Sequence, residues 1–293
     1  MYVASLIAAP QRQALDPALA ESLRNAWGGG ALRWLSPGEA AEFSLPARPD
    51  TLCTVWKDLQ AHGVDLAVQP EAHRRKAVLL ADMDSTMIEQ ECIDELAEEA
   101  GVGAHVRAIT ARAMNGELDF EDALRARVEL LKDLPEAVVA RVLEERITLT
   151  PGGPALVATM RAHGAYTVLV SGGFTAFTRS VAARLGFDEH RANRLVWDNG
   201  RLTGAVDHPI LGRAAKLEAL EEITRGLGLT PADALAVGDG ANDLAMLARA
   251  GAGVALHAKP SVAAQCDLRI NFGDLTALLY LQGYARSDFR GAG

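Results

Sequence analysis

The sequence has little cysteine. Its three cysteines among 293 residues, Cys53, Cys92 and Cys266, lie far apart with no Cys-x-x-Cys pair. That spacing excludes a disulfide framework and a zinc cluster, and makes a reducing cytoplasm the expected location. No uninterrupted apolar run reaches the roughly 18 residues that a bilayer span needs, so no membrane partner is expected. No basic residue precedes the short apolar stretch at the amino end, which argues against a secretory signal. Positive charge is also in deficit: 29 Lys and Arg face 38 Asp and Glu, a net charge of −9. Such a surface repels a phosphate backbone and excludes nucleic acid as a partner. Gly-Lys never occurs, which rules out a Walker loop, and the 7 histidines form no His-Glu-x-x-His. There is no internal repeat. What remains, 49% apolar and 23% charged residues, describes an ordinary globular chain long enough for two or three packed units.

Residues 1–75 carry 7 Lys and Arg against 8 Asp and Glu, leaving 22 against 30 for residues 76–293. The first region reads as a strand at Val3–Ala8, a helix near Pro17–Trp27, and strands near Ala31–Leu35 and Ala41–Leu45. A helix near Thr51–His62 and a strand at Val64–Val68 follow. This β-α-β-β-α-β order predicts a small α+β, ferredoxin-like domain with its helices on one face, joined on by a polar linker at Glu71–Lys76. From Ala77 the pattern changes to short continuous apolar runs, AVLLA, YTVLV and ALAV, each followed by a helical pattern. Runs of that kind fit strands buried on both faces of a parallel α/β sheet. They end in DMDST, SGGF and GDGAND, and ligands of open α/β sheets bind at the carboxyl ends of the strands. Residues 89–149, rich in Ala, Glu, Leu and Arg, predict a bundle of helices inserted at the mouth of that site. The expected division is therefore a small α+β domain at 1–75, an α/β core at 76–88 and 150–283, a helical cap at 89–149 and a fraying tail at 284–293.

Asp82 and Asp84 stand two residues apart at a buried strand end, where both stay ionised only if a cation or a proton compensates them. A calcium loop is excluded, because Met87 takes the place of the turn glycine and Ile93 that of the bidentate glutamate. An Asx turn capping the next helix remains open for this pair alone. Gly238–Asp243 fails as a dinucleotide fingerprint, since Asp243 stands where the third glycine belongs. A hard-cation site suits these loops instead, with oxygen ligands from Asp82, Asp239 and a backbone carbonyl near Asp84, which is the preference of magnesium. Ser171, followed by Gly172 and Gly173, leaves backbone N–H groups able to approach a phosphoryl oxygen. Lys216 would supply fixed positive charge beside the acidic loops.

In this order and spacing, DMDST, SGGF, a lysine in the following helix and GDGANDL resemble the four motifs of the haloacid dehalogenase superfamily of phosphotransferases. Within it, ECIDELAEEAG at 91–101, ARAMNGELDFEDALRARVELLKDLP at 111–135, VSGGFTAF and VGDGANDLAML are similar to the phosphoserine phosphatase family. The resemblance covers roughly residues 77–275. It implies a doubly wound, Rossmann-like parallel-sheet core with a helical cap; an ACT-like amino-terminal domain accompanies some members. It further implies that Asp82 is the nucleophile and Asp84 the general acid and base, with Mg2+ held by Asp82, Asp84 and Asp239. Ser171, the Gly172 amide and Lys216 would hold the phosphoryl group, and Asn242 and Asp243 would position substrate, metal ligands or Lys216. By motif position Glu91 and Arg127 would bind the ammonium and carboxylate of O-phosphoserine, and Met114 and Phe120 would form an apolar lid. The expected activity is hydrolysis of phosphoserine in serine synthesis. Transfer to another acceptor, another small phosphate substrate and a non-catalytic amino-acid sensor are the other readings, and an effector or dimer role stays open for residues 1–75.

Overall fold

The computed structural model describes residues 1–12, 15–114 and 117–291. The amino-terminal segment forms β1 (Tyr2–Ala8), α1 (Pro17–Ala26), β2 (Arg33–Ser36), β3 (Ala40–Leu45), α2 (Leu52–Gln60) and β4 (Val64–Pro70). Asp16 starts α1 by accepting the Ala18 N–H at 2.8 Å, and Pro17 fits the first turn, where its missing N–H costs nothing. The four strands make an antiparallel sheet in the order β2-β3-β1-β4. β1 is apolar on alternate faces for two different reasons. Ala4, Leu6 and Ala8 pack with Phe43 and Leu66 under α1 and α2, whereas Ile7 and Ala67 join the core of the remaining chain. Polar contacts fix this second face. Asp65 accepts the N–H groups of Asn271, Phe272 and Gly273 at 2.8, 3.0 and 2.8 Å.

The rest of the chain begins with β5 (Val78–Ala81), followed by α3 (Cys92–Glu99), α4 (Gly103–Met114), α5 (Phe120–Glu129) and α6 (Glu136–Glu145). Next come α7 (Gly153–Ala162), β6 (Tyr166–Phe174), α8 (Thr175–Leu185), β7 (Glu189–Asn193), β8 (Leu195–Asp198) and β9 (Arg201–Val206). α9 (Arg213–Gly226), β10 (Ala234–Gly238), α10 (Leu244–Arg249), β11 (Ala252–Leu256), α11 (Pro260–Ala263), β12 (Leu268–Ile270) and α12 (Ala277–Leu281) complete it. Six strands form one parallel sheet in the order β12-β11-β10-β5-β6-β7. β5, β6 and β10 carry near-continuous Val, Leu and Ala because apolar clusters cover both sides of this sheet. The chain order reverses between β5 and β10, so a crevice opens beyond their carboxyl ends. The helices α3–α6 sit on a two-stranded neck, with Ile88 bridging Leu149 and Glu89 N–H donating to Thr148 O at 3.0 Å.

Two features depart from the sequence reading. β8 and β9 form an antiparallel hairpin through Asn199 and Gly200, both at positive φ, and its far end pairs with the segment between α5 and α6 through Asp133 and Leu134. Residues 284–293, expected as a fraying tail, do not fray within the described residues: Tyr284 and Phe289 are buried, and Phe289 lies 5.1 Å from the Tyr280 ring. Two aromatic side chains in a ten-residue segment supply enough apolar surface to anchor it, and the Arg290 N–H adds a 2.8 Å bond to Thr159.

Candidate active site

Three loops meet at the crevice. Asp82 ends β5; its N–H donates to Val237 O, and its Oδ1 accepts the Met83 N–H at 2.8 Å. The chain then turns sharply through Met83–Met87, with Ser85 in the left-handed region at φ 54. Asp84 lies within that turn. Its Oδ1 accepts the Cys92 N–H at 2.8 Å, and its Oδ2 accepts the Ser171 hydroxyl at 3.0 Å. Ser171 in turn accepts the Gly173 N–H at 2.8 Å, and a Cβ on Gly173 would meet Asp84 Oδ2 at 2.8 Å, so a side chain there would displace that carboxylate.

Lys216, on α9, is buried between two carboxylates, its Nζ 2.6 Å from Oδ1 of both Asp82 and Asp243. Burial opposes its charge, but Asp243 and Asp82 outweigh burial and hold the ammonium proton more tightly than in an ordinary lysine. Burial pushes the Asp82 carboxyl well upward, Asp243 adds to this, and Lys216 opposes it. Carboxylate oxygens of Asp82, Asp239 and Asp243 all lie within 4.8 Å of one another. This set is hard, anionic and convergent, and it fits a divalent cation such as magnesium. Asp82 and Asp239 belong to the set expected from sequence. The Asp84 carboxylate points to Cys92 and Ser171, and Asp243 bonds Lys216 through Oδ1 and accepts the Gly240 N–H through Oδ2 at 3.0 Å.

These residues open into a cavity of about 730 Å3 that runs between the sheet edge and α3–α5. Glu91, Phe120 and Arg127 line the helical side, and Gly172, Asn242 and Lys259 the sheet side. Glu91 accepts the Ser85 hydroxyl at 2.7 Å. Arg127 donates to Ala123 O and to the Thr110 hydroxyl, which fixes the guanidinium without neutralising it. Phe120 covers the glycine loop so closely that a methyl on Gly172 would sit 3.0 Å from its ring. Of the residues predicted from sequence, the described ones all meet here; the side chain of Met114 lies outside the described residues.

Burial, with Asp84 adding to it, lifts Glu91 to about 7, and burial with Asp243 lifts Asp239 to about 6. A carboxyl held above its unfolded value favours the fold at low pH and loses that contribution as pH rises through the folded value. In metal-free protein Glu91→Gln is therefore expected to gain stability over the parent chain as pH rises from 4.5 to about 7. Thermal unfolding in chelator across that range checks it; a constant difference would contradict it.

The haloacid dehalogenase-like hydrolase family model matches residues 79–248. A phosphoserine phosphatase from Archaeoglobus fulgidus is 43% identical over 224 residues, 76% of this chain and 65% of that protein. A solved phospho-aspartyl intermediate analogue of phosphoserine phosphatase is 42% identical, with a TM-score of 0.66 over 70% of this chain and 98% of that one. The chain belongs to the haloacid dehalogenase-like hydrolases, in their phosphoserine phosphatase family. Another haloacid dehalogenase family hydrolase, from Salmonella enterica serovar Typhi, superposes over nearly its full length: TM-score 0.87, 30% identity, 96% of this chain and 97% of that one. The match spans just under two thirds of the length of the Archaeoglobus phosphoserine phosphatase.

Lys259, which lines the cavity, and Asn193, which lies behind the glycine loop, both escaped the sequence reading. Asn193, at the end of β7 and 2% exposed, reaches both Gly172 and Leu211 through its side chain. The signal for it was a lone Asn after a short strand, which no motif singles out.

Proposed function

We propose that this chain is a magnesium-dependent phosphomonoester hydrolase that converts O-phospho-L-serine to L-serine and phosphate, the last step of serine synthesis. The observation that carries this reading is one cavity whose lining brings together groups suited to a phosphoryl group and groups suited to the two charges of an amino acid. Asp82, paired with Lys216, suits the first, and Glu91 and Arg127 suit the second.

Asp82 attacks phosphorus and becomes an aspartyl phosphate, which splits one displacement into two. The seryl oxygen leaves with a proton from Asp84, and the same carboxylate then takes a proton from the water that cleaves the acyl phosphate. Ser171 and the Gly172 amide hold phosphoryl oxygens, with Lys216 fixing the charge beside them. A magnesium ion held by Asp82 and Asp239, with a backbone carbonyl near Asp84, would neutralise phosphoryl charge that otherwise keeps a dianion away from four carboxylates. Asn242 positions substrate from the sheet side. Glu91 takes the substrate ammonium and Arg127 its carboxylate. The helices α3–α6 serve as a cap, and Phe120 as part of its lid. The sheet order β2-β3-β1-β4 with both helices on one face supports an ACT-like amino-terminal domain.

A phosphate-release screen with phosphoserine and a panel of small phosphomonoesters, with magnesium and with chelator, tests the activity. Expected is turnover that requires metal, prefers phosphoserine and yields serine and phosphate in step. Formation of a new phosphoester without phosphate release would instead indicate transfer. Arg127→Ala is expected to lower kcat/KM for phosphoserine by about 100-fold, because a carboxylate then enters a pocket without its counter-charge. Activity on an aryl phosphate, which has no carboxylate, should change by less than about threefold. Equal losses on both substrates would remove Arg127 from this role.

A further inference from the structure

We infer that Asn193 is a positioning residue that orients the Ser171 hydroxyl toward Asp84 and locks the glycine loop to the segment leading into α9. The inference rests on the hydrolase reading above. Its origin is a break in the sheet. Val170 pairs with Arg191 and Phe174 with Asn193, so β6 advances four residues where β7 advances two. Two residues of β6 are thus looped out of the ladder at Ser171–Gly173, and the backbone groups freed there need other partners.

Asn193 provides one. Its Nδ2 donates to Gly172 O at 2.8 Å and, more weakly, to Leu211 O at 3.3 Å, while its Oδ1 accepts the Leu211 N–H at 2.7 Å. The Gly172–Gly173 peptide is planar, so fixing its carbonyl fixes the N–H on its other side. That N–H donates to Ser171 Oγ at 2.8 Å, and with an acceptor site filled, the hydroxyl proton is directed to Asp84 Oδ2 at 3.0 Å. A continuous chain of hydrogen bonds therefore runs from Asn193 through one peptide and one hydroxyl to Asp84. On its other side the same amide grips Leu211, two residues before the start of α9, the helix that carries Lys216. Asn193 is not among the described residues that line the cavity. Its effect passes through the groups it holds.

Asn193→Asp is the informative variant, since it keeps size and the Oδ acceptor for Leu211 N–H but turns an oxygen toward the Gly172 and Leu211 carbonyls. Expected is a fall in kcat of about 10- to 100-fold, the scale of a small misplacement of reacting groups. The fall should be equal for phosphoserine and for an aryl phosphate, with KM for phosphoserine within about threefold of the parent. A kcat within twofold of the parent in a folded variant, or a loss confined to KM or to phosphoserine alone, would overturn the inference. The parent chain is assayed alongside: absence of phosphoserine turnover there would defeat the hydrolase reading itself, a distinct result. If Asn193→Asp and Asn193→Ala both fail to fold, amide hydrogen exchange in the parent decides. The Gly173 N–H should exchange at least about 100-fold more slowly than an unprotected amide, and exchange at the unprotected rate would overturn the inference.

Discussion

Asp82→Asn is expected to release phosphate from phosphoserine at least about 10^4-fold more slowly than the parent chain while keeping its fold. The size follows from what is removed. An amide nitrogen or oxygen does not displace an alkoxide from phosphorus, and in the proposed mechanism no second group can form the covalent intermediate. The unchanged fold follows from electrostatics. Asp82 is buried, and burial together with Asp243 and Asp84 already disfavours its charge. A neutral isostere removes that repulsion and leaves Lys216 its 2.6 Å partner Asp243. Phosphate release under single-turnover conditions, beside thermal unfolding of both proteins, measures the two halves of the expectation. Residual turnover within 100-fold of the parent would place the attacking group elsewhere.

The parts of this site that were legible in the sequence are those where a strand ends in an unusual side chain. Asp82 follows VLLA, Ser171 follows YTVLV and Asp239 follows ALAVG, and a sheet buried on both faces brings those three ends together. Which partner each carboxylate takes was not legible. The Asp84 carboxylate takes the Cys92 N–H and the Ser171 hydroxyl, Asp243 takes Lys216, and neither set of partners follows from spacing along the chain. The Asn193 amide was hidden for a related reason. Its partners are backbone groups freed by a shift in pairing between β6 and β7, and a register shift leaves no mark on composition or period. The β8–β9 hairpin is a different case. Asp198-Asn199-Gly200 between two apolar runs is a turn signal, present in the sequence but obscured by the expectation of a βα alternation. The buried carboxyl-terminal segment shows the opposite error, in which a polar appearance concealed two well-spaced aromatic anchors.

Lys216→Met should produce the largest loss of stability of any single change at the site, together with loss of turnover. Its ammonium is the shared partner of Asp82 and Asp243, whose side chains are 7% and 0% exposed. Removing one member of a buried ionic cluster leaves uncompensated charge, at a cost of about 3–5 kcal/mol. For a chain of this size that corresponds to a fall in Tm of roughly 6–20 °C. The exposed Arg125–Glu121 pair is a useful contrast, since breaking a solvated pair of that kind costs under about 1 kcal/mol. Two further measurements separate charge from packing. Magnesium should raise the Tm of Lys216→Met more than that of the parent, because the carboxylates it joins have lost their competing cation. Adding Asp243→Asn to Lys216→Met should recover stability without activity, since it removes one of the two stranded charges and restores no donor for the phosphoryl group. If the double variant were no more stable than Lys216→Met alone, the lysine would be holding the fold through its methylene stem, and the electrostatic account of the site would fail at its centre.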